Sequence, residues 1–230
     1  MTRLVPHTLI VASVSAVCTA SATHAAVITV GPGVGYDYAQ VWQAVAVAQP
    51  GDSIYAAART VDGARFSYES FDLEAGAPGV ELTWGNSPGV IEVGGNLRVG
   101  ANATMVFELA GTDNSRALTS GRVDYDVVFV DGNFALQGNL AVTLSNSFVP
   151  SVGDAFELIA TSGSIVPTGA LLTHLTLPSL GGGLSWQVSI APSSYGAAGF
   201  GGQSLFITAV PAPGAWALLG VSALMARRRR

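Results

Sequence analysis

The sequence predicts an all-β body, a β-solenoid or a β-sandwich, opened by one short capping helix. Three observations carry this expectation. From about residue 82 onward, short apolar segments of strand character recur every 8 to 16 residues. Gly-Asn and Asp-Gly pairs stand between them, and such pairs accept positive φ at low cost. The chain is also rich in Gly, with 28 in 230 residues, while charged residues make up only 11%. Regular strand spacing with turn signals is the pattern of a repetitive β architecture.

Taken in order, the first 25 residues read as a secretory signal. Met1-Thr2-Arg3 supplies positive charge, LVPHTLIVASVSAV an apolar run, and TASATHAA a small-residue region. Cleavage is expected after Ala25 or Ala26, because the strand-like AVITV follows at once. The single cysteine, Cys18, falls inside this segment. Val17 and Ser15 stand where a lipoprotein signal needs a small residue and a Leu-like one, so lipidation is not expected. The exported body, residues 26–208, then has neither disulfides nor thiol chemistry.

Residues 36–55, YDYAQVWQAVAVAQPGDSIY, predict a helix and then a strand. Asp37 is the expected cap. Val41, Trp42, Val45 and Ala48 form one stripe, and Gln49-Pro50-Gly51-Asp52 ends the helix before the strand at Ser53. Helix, PGD and strand in this order resemble the opening of right-handed parallel β-helix proteins of the pectin-lyase-like type. That resemblance spans about twenty residues and implies a helix plugging the end of a solenoid, with no activity attached. Residues 57–80 are more polar, and are expected to be a loop or an irregular first rung.

Strands are expected at 90–93, 96–99, 104–109, 123–130, 139–144, 155–160, 172–177, 184–190 and 203–210. Gly94-Gly95-Asn96, Gly100-Ala101-Asn102, Asp131-Gly132-Asn133 and Gly138-Asn139 are expected turns. Partial alternation in MVFEL and VDYDVVFV predicts one buried and one wet face. The Gly-rich stretch 193–202 reads as a long loop. Val90 to Thr208 resembles the passenger-like β modules of exported surface proteins.

The chain closes with VPAPGAWALLGVSALMARRRR, and residues 209–230 form the third segment. From Val210 to Ala226 the seventeen residues are apolar or proline except for Ser222, near the lower limit of about 17 for a membrane span. Arg227, Arg228, Arg229 and Arg230 would hold that end on the cytoplasmic side. Pro211 and Pro213 cannot donate to a ladder, so Val210 to Gly214 is expected to be extended and unpaired. Motif, apolar helix and arginine cluster in this order resemble the PEP-CTERM sorting signal processed by exosortases. The resemblance implies an exosortase-type sorting protease and a signal peptidase as partners. It further implies recognition at Val210, Pro211, Ala212 and Pro213, with a transient membrane anchor and a cell-surface or extracellular destination. Ala212 departs from the Glu usual in that motif.

The chemistry of the body points away from catalysis. Without the two ends, five arginines (Arg59, Arg65, Arg98, Arg116, Arg122) face all fifteen acids, and Lys is absent throughout. Such an acidic body repels phosphate backbones, which excludes nucleic acid. One histidine, His174, follows the signal, and no GxSxG elbow accompanies it. One His without Cys gives no usual zinc set. Asp124, Asp126, Asp131 and Asn133 are hard oxygen donors for Ca²⁺, but they equally suit a solvated strand face ending in a turn. Trp84, Trp186, Tyr195 and Phe200 are candidates for stacking on sugars, with core packing the commoner role of strand aromatics. No catalytic residue and no cofactor is expected. The expectation is an exported protein with a structural or adhesive role in the envelope or a biofilm matrix. The alternative is a carbohydrate-binding module, with polysaccharide as its partner, or a degenerate polysaccharide lyase of β-helix type.

Overall fold

The computed structural model describes residues 25–58, 68–73, 80–84, 88–119, 123–167 and 171–213. The predicted signal up to His24, the apolar run from Ala215 and Arg227 to Arg230 lie outside the described residues. Among the described residues, no helix is long and apolar enough to cross a membrane.

The protein is mostly β. The early strands are β1 Val27–Val30, β2 Ser53–Ala56, β3 Tyr68–Leu73 and β4 Val80–Trp84. The middle of the chain gives β5 Val90–Val99, β6 Ala103–Leu109, β7 Val127–Val130, β8 Phe134–Leu136 and β9 Asn139–Leu144. The remainder gives β10 Ala155–Thr161, β11 Ile165–Pro167, β12 Leu175–Thr176, β13 Leu184–Pro192 and β14 Gln203–Pro211. A single α-helix, α1, spans Val41–Val47.

One sheet has the order β1-β2-β4-β6-β9-β12, and every neighbouring pair in it is parallel. The second has the order β11-β8-β5-β7-β10-β14-β13, with β3 on β5. Its pairs are parallel until β14, which runs antiparallel to both β10 and β13. From β2 to β12, successive passes of the chain therefore stack in register, each adding strands to one sheet and then to the other.

The register explains why these residues hold together. Ile28, Ile54, Leu82, Met105, Leu140 and Leu175 are successive partners in the first sheet. Phe71, Leu97, Phe134 and Ile165 do the same in the second. Side chains alternate across a strand, so each pass presents one apolar face to a single shared core. β6 shows it plainly: Ala103, Met105, Phe107 and Leu109 are buried, with the residues between them half-buried.

Several expectations change here. α1 is capped by Gln40, whose N–H donates to Gln43 Oε1 at 3.1 Å. Asp37 lies too far upstream to cap, and its carboxylate instead accepts from Thr29 N–H and Oγ1, both at 2.8 Å. Val41 and Ala44 enter the core, and Val45 and Ala48 pack at its margin. Trp42 turns outward, with its indole N–H on Glu69 at 3.2 Å. The helix rests on β1, β2 and β3, at the start of the stack.

Gly94-Gly95-Asn96 is a bend inside one continuous strand rather than a turn between two. Residues 90–93 of β5 pair with β7, whereas 97–99 pair with β8. The irregular stretch after residue 57 contains a formed strand, β3. The expected strand at 172–177 shrinks to Leu175–Thr176, because Leu171–His174 form a 3-10 turn. β7 is buried on both faces. Val128 and Val130 join the main core, while Val127 and Phe129 join a second cluster on the outer face. That outer face, expected to be wet, is covered by Ala117, Leu118, Tyr195 and Phe200.

Candidate functional site

Three places concentrate polar or functional side chains: a stacked corner, a strap over the outer face, and the end of β14.

The corner is built from Gly-Asn, Gly-Asn, Gly-Ser and Gly-Gln pairs at 95–96, 132–133, 163–164 and 202–203. Ser70 Oγ accepts from Asn96 N–H at 3.0 Å, and Asn96 Oδ1 accepts from Asn133 N–H at 2.9 Å. Asn133 Oδ1 accepts from Ser164 N–H at 3.0 Å and from its hydroxyl at 2.9 Å. Gln203 Oε1 closes the series on Ile165 N–H at 2.8 Å. Ser70, Asn96 and Asn133 each satisfy the backbone of the next pass and Gln203 that of the preceding one, where the sheet bends and the strand ladder is interrupted. The glycines are there because neighbouring passes touch. A Cβ on Gly132 would lie 2.7 Å from the Gly95 carbonyl oxygen, and one on Gly202 only 2.1 Å from that of Gly163. Beside this corner an open groove of about 520 Å³ is lined by Ser70, Asp72, Asn96, Arg98 and Asn133. Arg98 bridges Asp72 and Gln137 across neighbouring strands.

The strap is the Gly-rich loop 193–202. Its anchor is Glu157 of β10, only 3% exposed. The carboxylate accepts from Ser193 Oγ at 2.7 Å, from Ser194 N–H at 3.2 Å and from the Ser194 hydroxyl. Tyr195 then meets Phe129 edge-to-face and Phe200 lies tilted against it, with ring centroids 4.8 and 4.7 Å away. Burial pushes the Tyr125 phenol up to about 12, with the Glu157 carboxylate adding to the shift. The Tyr195 phenol is raised for the same first reason, its neighbours Tyr125 and Glu157 adding to it. A second cavity, about 240 Å³, lies at the tip of the strap between Glu92, Asp131, Gly199 and Phe200. Glu157, Ser193 and Ser194 were not visible as a set in the sequence. The one available signal was a lone acid inside the apolar run AFELIA, in a chain without Lys.

The sequence-predicted chemical residues are dispersed. Asp126 is buried, and its two oxygens accept from Gly89 N–H at 2.6 Å and Glu108 N–H at 2.7 Å. Asp124 is exposed and accepts from Asp113 N–H at 3.1 Å. Asp131 lines the 240 Å³ cavity, and Asn133 is spent in the corner. Among the described residues, no group of three or more His, Cys, Asp or Glu side chains is placed to hold a metal ion. His174 donates Nδ1–H to the Gly138 carbonyl at 2.9 Å, beside another inter-pass turn. Trp186 is half-buried against Phe156 with its N–H on the Pro178 carbonyl at 2.8 Å. Trp84 ends β4. Neither Tyr195 nor Phe200 is an open platform for a sugar.

Of the residues expected to act in targeting, Ala25, Ala26 and Val210 to Pro213 are among those described. Ala26 N–H donates to Asp52 Oδ1 at 2.7 Å, and its carbonyl accepts from Ser53 N–H at 2.8 Å. Asp52 Oδ2 accepts from Gln49 N–H at 2.8 Å. These backbone donors, Ala26 first, hold the Asp52 carboxyl below its usual range. At the other end, the expectation of an unpaired strip is corrected for Val210 to Ala212, and Gly214 lies outside the described residues. Val210 and Pro211 are the last residues of β14, opposite Ser185 and Leu184 of β13. Ala212 N–H donates to the Gly183 carbonyl at 2.7 Å. Pro213 is exposed.

The chain matches no protein-family model, and comparison with curated proteins finds no relative.

Proposed function

We propose that this chain is an exported protein, sorted through its C-terminus to the cell surface or the extracellular matrix, with a structural or adhesive role there. The observation that carries the reading is the order of Val210-Pro211-Ala212-Pro213, the apolar run and four terminal arginines. An apolar run followed by guanidinium charges that cannot cross lipid halts translocation and leaves the body outside. The body is a short β-solenoid of the right-handed parallel β-helix type, started by α1. Stacked parallel passes, shared apolar columns and the polar corner support that architecture. A repetitive stack of this kind builds a long surface without needing a catalytic cleft.

The test is expression with and without a matching exosortase, followed by mass measurement of the released product. Loss of the apolar run and arginines in the presence of the enzyme is expected. An intact tail in both cells defeats the sorting reading. A polysaccharide-binding role is the second reading, supported by the open groove lined by Ser70, Asp72, Asn96, Arg98 and Asn133. Polysaccharide retention that disappears in Arg98→Ala would favour it, and no retention by the parent chain would remove it.

A further inference from the structure

We infer that the folded sheet fixes where this protein can be released: the scissile bond lies beyond Ala212, and the product keeps Val210 and Pro211 as the end of β14. The inference rests on the sorting reading for the identity of the protease, but on sheet geometry for the boundary.

β14 is held along both edges. Toward β10, Gly153 N–H donates to the Ala209 carbonyl at 2.8 Å and Ala209 N–H to the Asp154 carbonyl at 2.9 Å. Toward β13, the pairing is continuous from Gln203 opposite Pro192 to Pro211 opposite Leu184. In an antiparallel pair, hydrogen-bonded and non-hydrogen-bonded positions alternate. The Ala212–Gly183 bond therefore makes Val210–Ser185 a bonded pair and Pro211–Leu184 a non-bonded one. The nitrogen of Pro211 faces the other edge, past Gly153, so its missing donor removes no bond to β13.

That placement reverses what a proline-bearing strip implies by itself. Recognition of an extended peptide uses main-chain hydrogen bonds along the strand. The bonding edge of Val210 and Ala212 is already taken by Ser185 and Gly183. A protease acting on the folded domain therefore meets its first exposed residue at Pro213. Reading the whole Val-Pro-Ala-Pro motif requires the end of β14 to peel from β13. Cleavage of the transiently open end then follows the population of that open form.

The experiment is brief proteinase K digestion of the full chain in detergent, with the C-terminus of the resistant fragment read by mass. A fragment ending at Ala212 or later is expected; one ending before Ala212 overturns the inference. Ser185→Pro removes the N–H that faces Val210, and is expected to speed cutting between Ala209 and Ala212 by about tenfold. Circular dichroism verifies that this variant is folded, and an unchanged rate in the folded variant overturns the inference. The same mass measurement on material from cells with the sorting enzyme separates the two claims. A product ending before Ala212 sinks the boundary and leaves sorting intact. An uncut chain in those cells sinks sorting, while the digestion still decides the boundary.

Discussion

Gly132→Ala puts the stacked corner to its hardest test. The added Cβ would sit 2.7 Å from the Gly95 carbonyl oxygen and 2.8 Å from Asn96 Oδ1. A carbon–oxygen contact relaxes near 3.3 Å, so the two passes must part by about 0.6 Å. Three bonds span that gap: Asp131 N–H to the Val93 carbonyl at 2.8 Å, Leu97 N–H to the Asn133 carbonyl at 3.0 Å, and Asn133 N–H to Asn96 Oδ1 at 2.9 Å. Stretched by that amount they reach about 3.5 Å, beyond useful hydrogen-bond length. At about 1 kcal/mol each, the loss is about 2–3 kcal/mol, within the usual range for overpacking. For a domain of this size that lowers Tm by about 4–12 °C. Thermal unfolding followed by circular dichroism measures it, with Gly181→Ala as control because its Cβ meets nothing within 4 Å. If Gly132→Ala melts together with that control, the passes do not touch at this corner and the stacking argument is wrong.

Three other outcomes follow from the same structure. Glu157→Ala should free the 193–202 strap at a cost of about 1.5–3 kcal/mol for a charge-assisted anchor. Chymotrypsin should then cut at Tyr195 or Phe200, and continued resistance would show that the ring contacts alone hold the loop. Asp52 has a folded pKa below its unfolded one, so its contribution is present above the ordinary carboxylate range and lost as pH falls through the lowered value. Acid unfolding of Asp52→Asn should accordingly show a shallower pH dependence than the parent, and identical curves would refute the role given to the Ala26 and Gln49 donors. Burial raises the phenols of Tyr68, Tyr125 and Tyr195. An ultraviolet titration should leave these three of the six tyrosines un-ionised near pH 10.5 until the protein unfolds.

The β character of the body was legible because it is local. Strand-forming segments and Gly-Asn punctuation are readable within a few residues. What those pairs punctuate is not: a hairpin turn and a bend between stacked passes both want Gly. The sequence around Gly95 therefore suits either, and the difference lies in Gly132, far along the chain. Pairing direction is hidden for the same reason, since Leu82 meets Met105, and Met105 meets Leu140, only through register. Asp37 illustrates a competition that the pattern misses. It has the right chemistry for a cap, but Thr29 claims its carboxylate from the preceding strand. The double burial of β7 was invisible because its outer cover arrives from the 193–202 loop, and alternation within VDYDVVFV says nothing about distant lids.

The proline motif and the closure of the stack turn out to share one strand, and this makes a last consequence testable. In a stack where each pass contacts its neighbours, the two ends determine whether apolar faces are left open. α1 lies against the first strands, and the antiparallel β14–β13 pair ends the second sheet. Pro211 is tolerated in that strand because its nitrogen points away from β13, so the proposed sorting motif and a sheet terminus are compatible in the same residues. Chains ending at Pro213 and at Ala209 separate the two roles. The first keeps every bond from Val210 and Ala212 to β13 and should unfold like the parent. The second loses three of them, about 2–3 kcal/mol, and should melt lower by about 4–12 °C. Equal stability of the two would mean that Val210 and Pro211 only rest on β13, and that the motif is as free as its prolines suggest.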